Sequence, residues 1–193
     1  MMTVTGSSPR WVLALLAAAV FSSPMAARAD KATADAAFVS ADRCTDTEVN
    51  VFVKSGQVGK TTGSQNAKVT LTIAQVDVCE GRELLGAEAK NVNLKNGEFT
   101  VGDGTATLNA AIQVFDRRTG NKFMVDVFVE WVASGDPVTA DVTTDVDDPG
   151  RFAKQARKFR KTLHLADASG TITDGATDFI AGLAEEASFT VAQ

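Results

Sequence analysis

The chain has a single histidine, no tyrosine and only two cysteines in 193 residues. With His164 as the one imidazole, Ser-His-Asp, Cys-His and multi-histidine metal chemistry would all have to pass through that residue. It sits between Leu163 and Leu165 after a basic run, a context that predicts the outward residue of an alternating strand. No GxSxG is present to form a hydrolase nucleophile elbow. Aromatic residues for stacking on sugar rings are scarce, since Trp131 is the one tryptophan beyond the N-terminal segment. Aspartates and glutamates are plentiful, so a carboxylate pair of the glycosidase kind is the one catalytic option the composition leaves. The expectation is a protein that is not an enzyme and uses no cofactor.

Long hydrophobic runs are also missing, apart from one near the start. Arg10 precedes WVLALLAAAVF, Trp11 to Phe21, which is followed by SSPMAARAD. Its 11 residues are short of the roughly 20 that a spanning helix needs. A charged start, an apolar middle and the small-residue box Ala27-Arg28-Ala29 predict a cleaved export signal over residues 1–29. Residues 30–193 then form one β-rich domain, secreted or periplasmic, with no transmembrane segment. Loss of Arg10 and Arg28 takes the formal charge from -5 to -7. An acidic protein repels phosphate backbones at long range, which argues against nucleic acid as a partner.

Export into an oxidising space makes a Cys44–Cys79 disulfide the leading reading of the two cysteines. Two cysteines without a nearby histidine are too few for a structural zinc site.

Beyond residue 40 the dominant pattern is alternation of apolar and polar residues, enriched in β-branched types and broken by glycine-containing turns. Five runs stand out: TEVNVFV (47–53), AKVTLTIAQVDV (67–78), TATLNAAIQVF (105–115), KFMVDVFVEWV (122–132) and VTADVTTDV (138–146). Half-buried strands with one dry face require a second layer, so the expected fold is an antiparallel β-sandwich, with an open or closed barrel as the alternative. AIQVF, Ala111 to Phe115, has few charges and would be a self-pairing hazard at a sheet edge. A faint repeat at a spacing of 39 places Asp77 over Asp116 and Gly81 over Gly120. Each copy reads as strand, acidic turn with glycine, strand, so the chain carries a duplicated hairpin. Asp103-Gly104 and Asp174-Gly175 also read as turns.

The export signal, DRCTDTEVNVFV (42–53), DVCEGRELL (77–85), the strand ending at Trp131 and ADASGTITDG (166–175) together resemble a group of small, uncharacterised exported bacterial all-β proteins with one cysteine pair. The resemblance spans most of residues 38–176 and implies a compact secreted β domain. It implies no activity and no functional residue.

One stretch departs from alternation. In DDPGRFAKQARKFRKTLHL (147–165), Phe152, Ala156, Phe159 and Leu163 share a face at helical spacing, opposite Lys154, Arg157, Lys158 and Lys161. Asp148-Pro149 suits an N-cap and first helical residue, so a short amphipathic helix is expected near 149–161. Those four cations are candidate contacts for an anionic partner. Just upstream, Asp141, Asp145, Asp147 and Asp148 are candidate calcium ligands, although the EF-hand spacing is not met.

KSGQVGKTTGSQNAK (54–68) contains GKTT, yet the first glycine of a phosphate-binding loop would fall at Lys54, and a strand rather than a helix follows. Nucleotide binding is therefore rejected, and Lys54 and Lys60 become candidate anion contacts on a loop. The functional expectation is an exported, non-enzymatic binding or structural domain acting on an extracellular or envelope partner. The alternative is a small carboxylate-dependent secreted hydrolase or a calcium-assisted accessory domain.

Overall fold

The computed structural model describes residues 31–55, 66–102, 104–146 and 155–192. It is mainly β and antiparallel, and the described residues contain no helix. The five alternating runs form β2 (Thr45–Lys54), β3 (Lys68–Asp77), β6 (Thr105–Asp116), β7 (Lys122–Ala133) and β8 (Val138–Val146). Six further strands complete the structure: β1 (Lys31–Asp42), β4 (Arg82–Asn93), β5 (Phe99–Val101), β9 (Gln155–Thr173), β10 (Asp178–Leu183) and β11 (Glu186–Ala192).

Every pairing is antiparallel, and eight strands can be followed around a cycle: β1, β2, β3, β4, β6, β7, β9, β11 and back to β1. The narrowest link joins β4 to β6 through only Ala87↔Asp116 and Glu88↔Phe115. Strand β9 holds the cycle together because it is long. Its first half pairs with β8 and β11, and its second half with β7 and β10.

The alternation predicted from sequence sets what lies inside. Leu108, Ala110, Ile112 and Val114 of β6 are buried, as are Val125, Val127, Val129 and Trp131 of β7. They join Phe38, Val49, Val51, Val53, Leu71 and Ile73 in one apolar cluster. Two devices let large rings enter it. Trp131 is fully buried, and its Nε1–H donates to the Asp35 carbonyl at 2.7 Å, so the indole reaches β1 between the small residues Ala34 and Ala36. Gly170 leaves room for Phe38, since a Cβ there would lie 3.2 Å from Phe38 Cζ and 2.7 Å from the Phe128 carbonyl oxygen.

The duplicated turn is present in both copies. Asp77 Oδ1 accepts from the backbone N–H groups of Cys79 and Glu80, and Gly81 has φ +65°. Asp116 Oδ1 accepts from Arg118 N–H, and Gly120 has φ +75°. In each, the carboxylate satisfies turn amides and the glycine takes a left-handed conformation that other residues rarely adopt. Asp174 repeats the device, accepting from Ala176 and Thr177 N–H.

Two expectations are corrected. The helix expected near 149–161 is not seen: Gln155–Lys161 belong to β9, paired with β8 from Val146↔Gln155 to Ala140↔Lys161, and residues 149–154 lie outside the described residues. Phe159, Lys161, Leu163 and Leu165 also fit a period of two, and the β-branched strand β8 supplies a ladder partner that local helical spacing does not reveal. AIQVF pairs with β7 along its whole length, and Phe115 alone of its residues also pairs with β4. His164 is not an outward residue: it shares the inward set of β9 with Ala166, Ala168 and Ile172, and stacks on buried Phe189 at a centroid distance of 4.6 Å.

Candidate functional site

The cycle has two ends. At one lie the β1–β2, β3–β4, β6–β7 and β9–β10 turns, and this end is held by the Cys44–Cys79 disulfide, whose Cα atoms are 5.2 Å apart. The bond joins two neighbouring turns beside the register pair Thr45↔Asp77, and Val78 N–H donates to the Cys44 carbonyl at 2.8 Å. Asp116, at the same end, is buried and carries a carboxyl held below its ordinary range. The Thr119 hydroxyl, donating at 2.5 Å, is the main cause, working against desolvation, with backbone amides and the Arg118 charge adding to it. Its oxygens are engaged in shaping the turn, so the one buried carboxylate among the described residues has a structural task.

The opposite end gathers lysines. Lys54 closes β2, Lys68 opens β3, and the two face each other directly in the ladder. One strand over, Thr33 of β1 pairs with Lys54, which places Lys31 two residues away along β1. Lys31 in turn shares Ala192 as a register partner with Lys161 of β9. All four lysines are exposed, on the outward phase of their strands. Directly opposed like charges on a sheet destabilise it by about 0.2–1 kcal/mol. Among the described residues no carboxylate forms a salt bridge with Lys31, Lys54 or Lys68.

The backbone under this rim is firmly tied. Ser55, buried, donates its N–H to the Ala32 carbonyl at 2.8 Å and accepts from Ala32 N–H at 2.6 Å through its hydroxyl. Leu94 N–H donates to the Ala67 carbonyl at 2.8 Å, which pins the start of β3. The register that opposes Lys54 to Lys68 is thus set by buried contacts.

The β8–β9 hairpin continues past the rim. The last β9–β11 pair is Lys161↔Ala192, whereas β8 and β9 stay paired from Asp141↔Arg160 out to Val146↔Gln155. Arg157 and Lys158 occupy register positions on this arm. Arg160 Nε and Asp141 Oδ1 are 3.3 Å apart with both side chains largely exposed, a pair of the kind that contributes little to stability.

Of the calcium candidates, Asp141 and Asp145 lie four positions apart on an extended strand, about 14 Å at the usual rise. Asp147 and Asp148 lie outside the described residues, as do Lys60, Lys154 and the GKTT stretch. No group of three or more His, Cys, Asp or Glu suited to a metal ion occurs among the described residues. No helix among them is long and apolar enough to cross a membrane.

Of the cations singled out in the sequence, the structure brings Lys54 and Lys161 to one rim, and it adds Lys31 and Lys68, which belong to no motif. Lys54 and Lys68 bracket the β2–β3 connection, so aligning the two predicted strands as a hairpin would have opposed them. Lys31 carries no comparable signal, because its place depends on pairing with the far C-terminal strand β11. Comparison of the chain with protein-family models, with curated proteins and with solved structures gives no match.

Proposed function

We propose that residues 30–193, freed from an export signal at 1–29, are a secreted or periplasmic, non-enzymatic binding domain that holds an anionic partner through the lysine rim. The observation that carries this reading is the direct opposition of Lys54 and Lys68, with Lys31 and Lys161 on neighbouring register rows, in a chain whose net charge is -5. A like-charge pair costs the sheet stability, and a bound anion would reverse that cost. The disulfide fits an oxidising compartment. We read the cyclic pairing as a flattened barrel whose rim and projecting hairpin form one basic end. The likeness to small exported bacterial β proteins agrees with this setting.

The test uses the mature, oxidised protein and two probes: immobilised dextran sulfate, and vesicles of phosphatidylglycerol or phosphatidylcholine. Retention on at least one anionic probe, weakened by salt and lost in the Lys54→Ala/Lys68→Ala double variant, is the expected result. Binding to neither anionic probe at low salt, or equal binding by the double variant, would remove the proposal.

A further inference from the structure

A strand edge left unpaired is a template for another strand, and folded proteins blunt such edges with lysine, proline, glycine or brevity. Among the described residues several edges of this fold are blunted in those ways. Strand β5 is three residues long, and β10 is six residues with Gly182 near its end. The free side of β9 beyond β11 carries Arg157, Lys158 and Arg160. Strand β8, VTADVTTDV, pairs only with β9, runs for nine residues, and contains no lysine, arginine, glycine or proline. Six of its residues are valine or threonine, the types that favour extended backbone.

The sequence of β8 also matches itself. Laid antiparallel against a second copy about a twofold axis at Val142, it pairs Val138 with Val146, Thr139 with Asp145, Ala140 with Thr144, Asp141 with Thr143, and Val142 with its own counterpart. No aspartate meets an aspartate. Moving the axis by one residue either way spoils this: an axis at Asp141 opposes that residue to itself, and an axis at Thr143 opposes Asp141 to Asp145. Directly opposed like charges are unfavourable, so the longest register, with nine pairs, is free of repulsion, and the other repulsion-free registers about Ala140 and Thr144 keep only five pairs each.

We propose that β8 is a self-association edge, through which two copies of this chain pair antiparallel about Val142 and join their projecting hairpins into one four-stranded ribbon. The partner is a second copy because the edge is complementary to itself over its full length in its longest register, and a twofold contact of this kind closes on itself rather than propagating. The arm lies beyond the last β9–β11 pair, so the second copy reaches β8 without displacing any described pairing. A single shared strand is a small contact, so the dimer is concentration-dependent. This inference does not depend on the anionic-partner reading.

Both native cysteines are consumed by the Cys44–Cys79 bond, so an introduced cysteine is the only thiol. In Val142→Cys the two copies of residue 142 face each other at the axis, with Cβ atoms about 4.5–5.5 Å apart, close enough for a disulfide after slight adjustment. In Ala140→Cys the like positions are offset by four residues, about 14 Å along the strand. Mild oxidation of mature protein should make the covalent dimer the main species for Val142→Cys and leave Ala140→Cys monomeric. Sedimentation should show a monomer–dimer equilibrium for the unmodified chain, lost in Thr143→Asp, which opposes two aspartates at two places. A monomer at all concentrations with no Val142→Cys dimer, equal crosslinking of the two cysteine variants, or a dimer indifferent to Thr143→Asp would each overturn the proposal.

Discussion

Reduction of Cys44–Cys79 should lower thermal stability without changing the fold. The bond spans a sequence separation of 35. Chain-entropy reasoning for a loop of that size gives a stabilisation of about 4 kcal/mol, acting on the unfolded state. The folded state needs the bond little: Thr45↔Asp77 is a ladder pair beside it, and the Val78–Cys44 backbone hydrogen bond at 2.8 Å holds the same two turns together. For a domain of this size about 1 kcal/mol corresponds to roughly 2–4 °C, so Tm should fall by about 8–16 °C. Scanning calorimetry of the mature protein with and without reductant, alongside a Cys44→Ala/Cys79→Ala variant, measures it. Far-UV circular dichroism at room temperature should be the same in all three. Equal Tm values would refute the reasoning. So would loss of the strand spectrum on reduction, since the bond would then be holding the native sheet and not restricting the unfolded chain.

Two other perturbations test the interior and the turns. Gly170→Ala places a methyl 2.7 Å from the Phe128 carbonyl oxygen and 3.1 Å from Val129 Cγ2, positions too close for all of them to relax, so denaturant titration should show a loss of about 1–3 kcal/mol. The Asp116 carboxyl has a folded-state pKa below the ordinary aspartate value of 3.8. Its contribution is therefore present in full above that value and is lost as pH falls through the lower folded value. Asp116→Asn should lower Tm at neutral pH and converge towards the parent on acidification below about pH 4; a Tm difference that does not vary with pH would contradict this.

Much of the fold is legible because alternation is a local signal. The five runs read from sequence form β2, β3, β6, β7 and β8 within one or two residues, and the Asp77 and Asp116 turns share the carboxylate and glycine that their spacing announces. Strand β1 gives no such signal because its buried positions include Ala32, Ala34 and Ala36, too small to stand out from Thr33 and Asp35. They are small where the indole of Trp131 reaches over. The same economy disguises the inward position of His164. Between His164 and Ile172 the inward set of β9 is built from alanines and Gly170, while the apolar Leu163 and Leu165 face out, 39% and 65% exposed. Strand or helix at 155–161 is decided by β8, a partner that hydrophobic spacing within the segment does not contain. The lysine rim is half visible: Lys54 and Lys161 can be picked as charges, but their meeting with Lys31 and Lys68 depends on pairing register, and β1–β11 pairing joins the two ends of the described chain.

The sharpest measurement on the lysine rim is to reverse one charge and follow stability and binding together. Lys68→Glu turns the opposed Lys54–Lys68 pair from repulsive to attractive. Cross-strand pair energies give a gain of about 0.5 kcal/mol, or a Tm rise of about 1–2 °C. If the rim exists to hold an anion, the same substitution should weaken retention on dextran sulfate or phosphatidylglycerol vesicles about tenfold at low salt, at roughly 1 kcal/mol for each basic side chain removed or reversed. Higher stability with weaker binding is the predicted outcome. Unchanged binding in a stabilised variant would contradict a functional rim and leave Lys54 and Lys68 as ordinary surface charges.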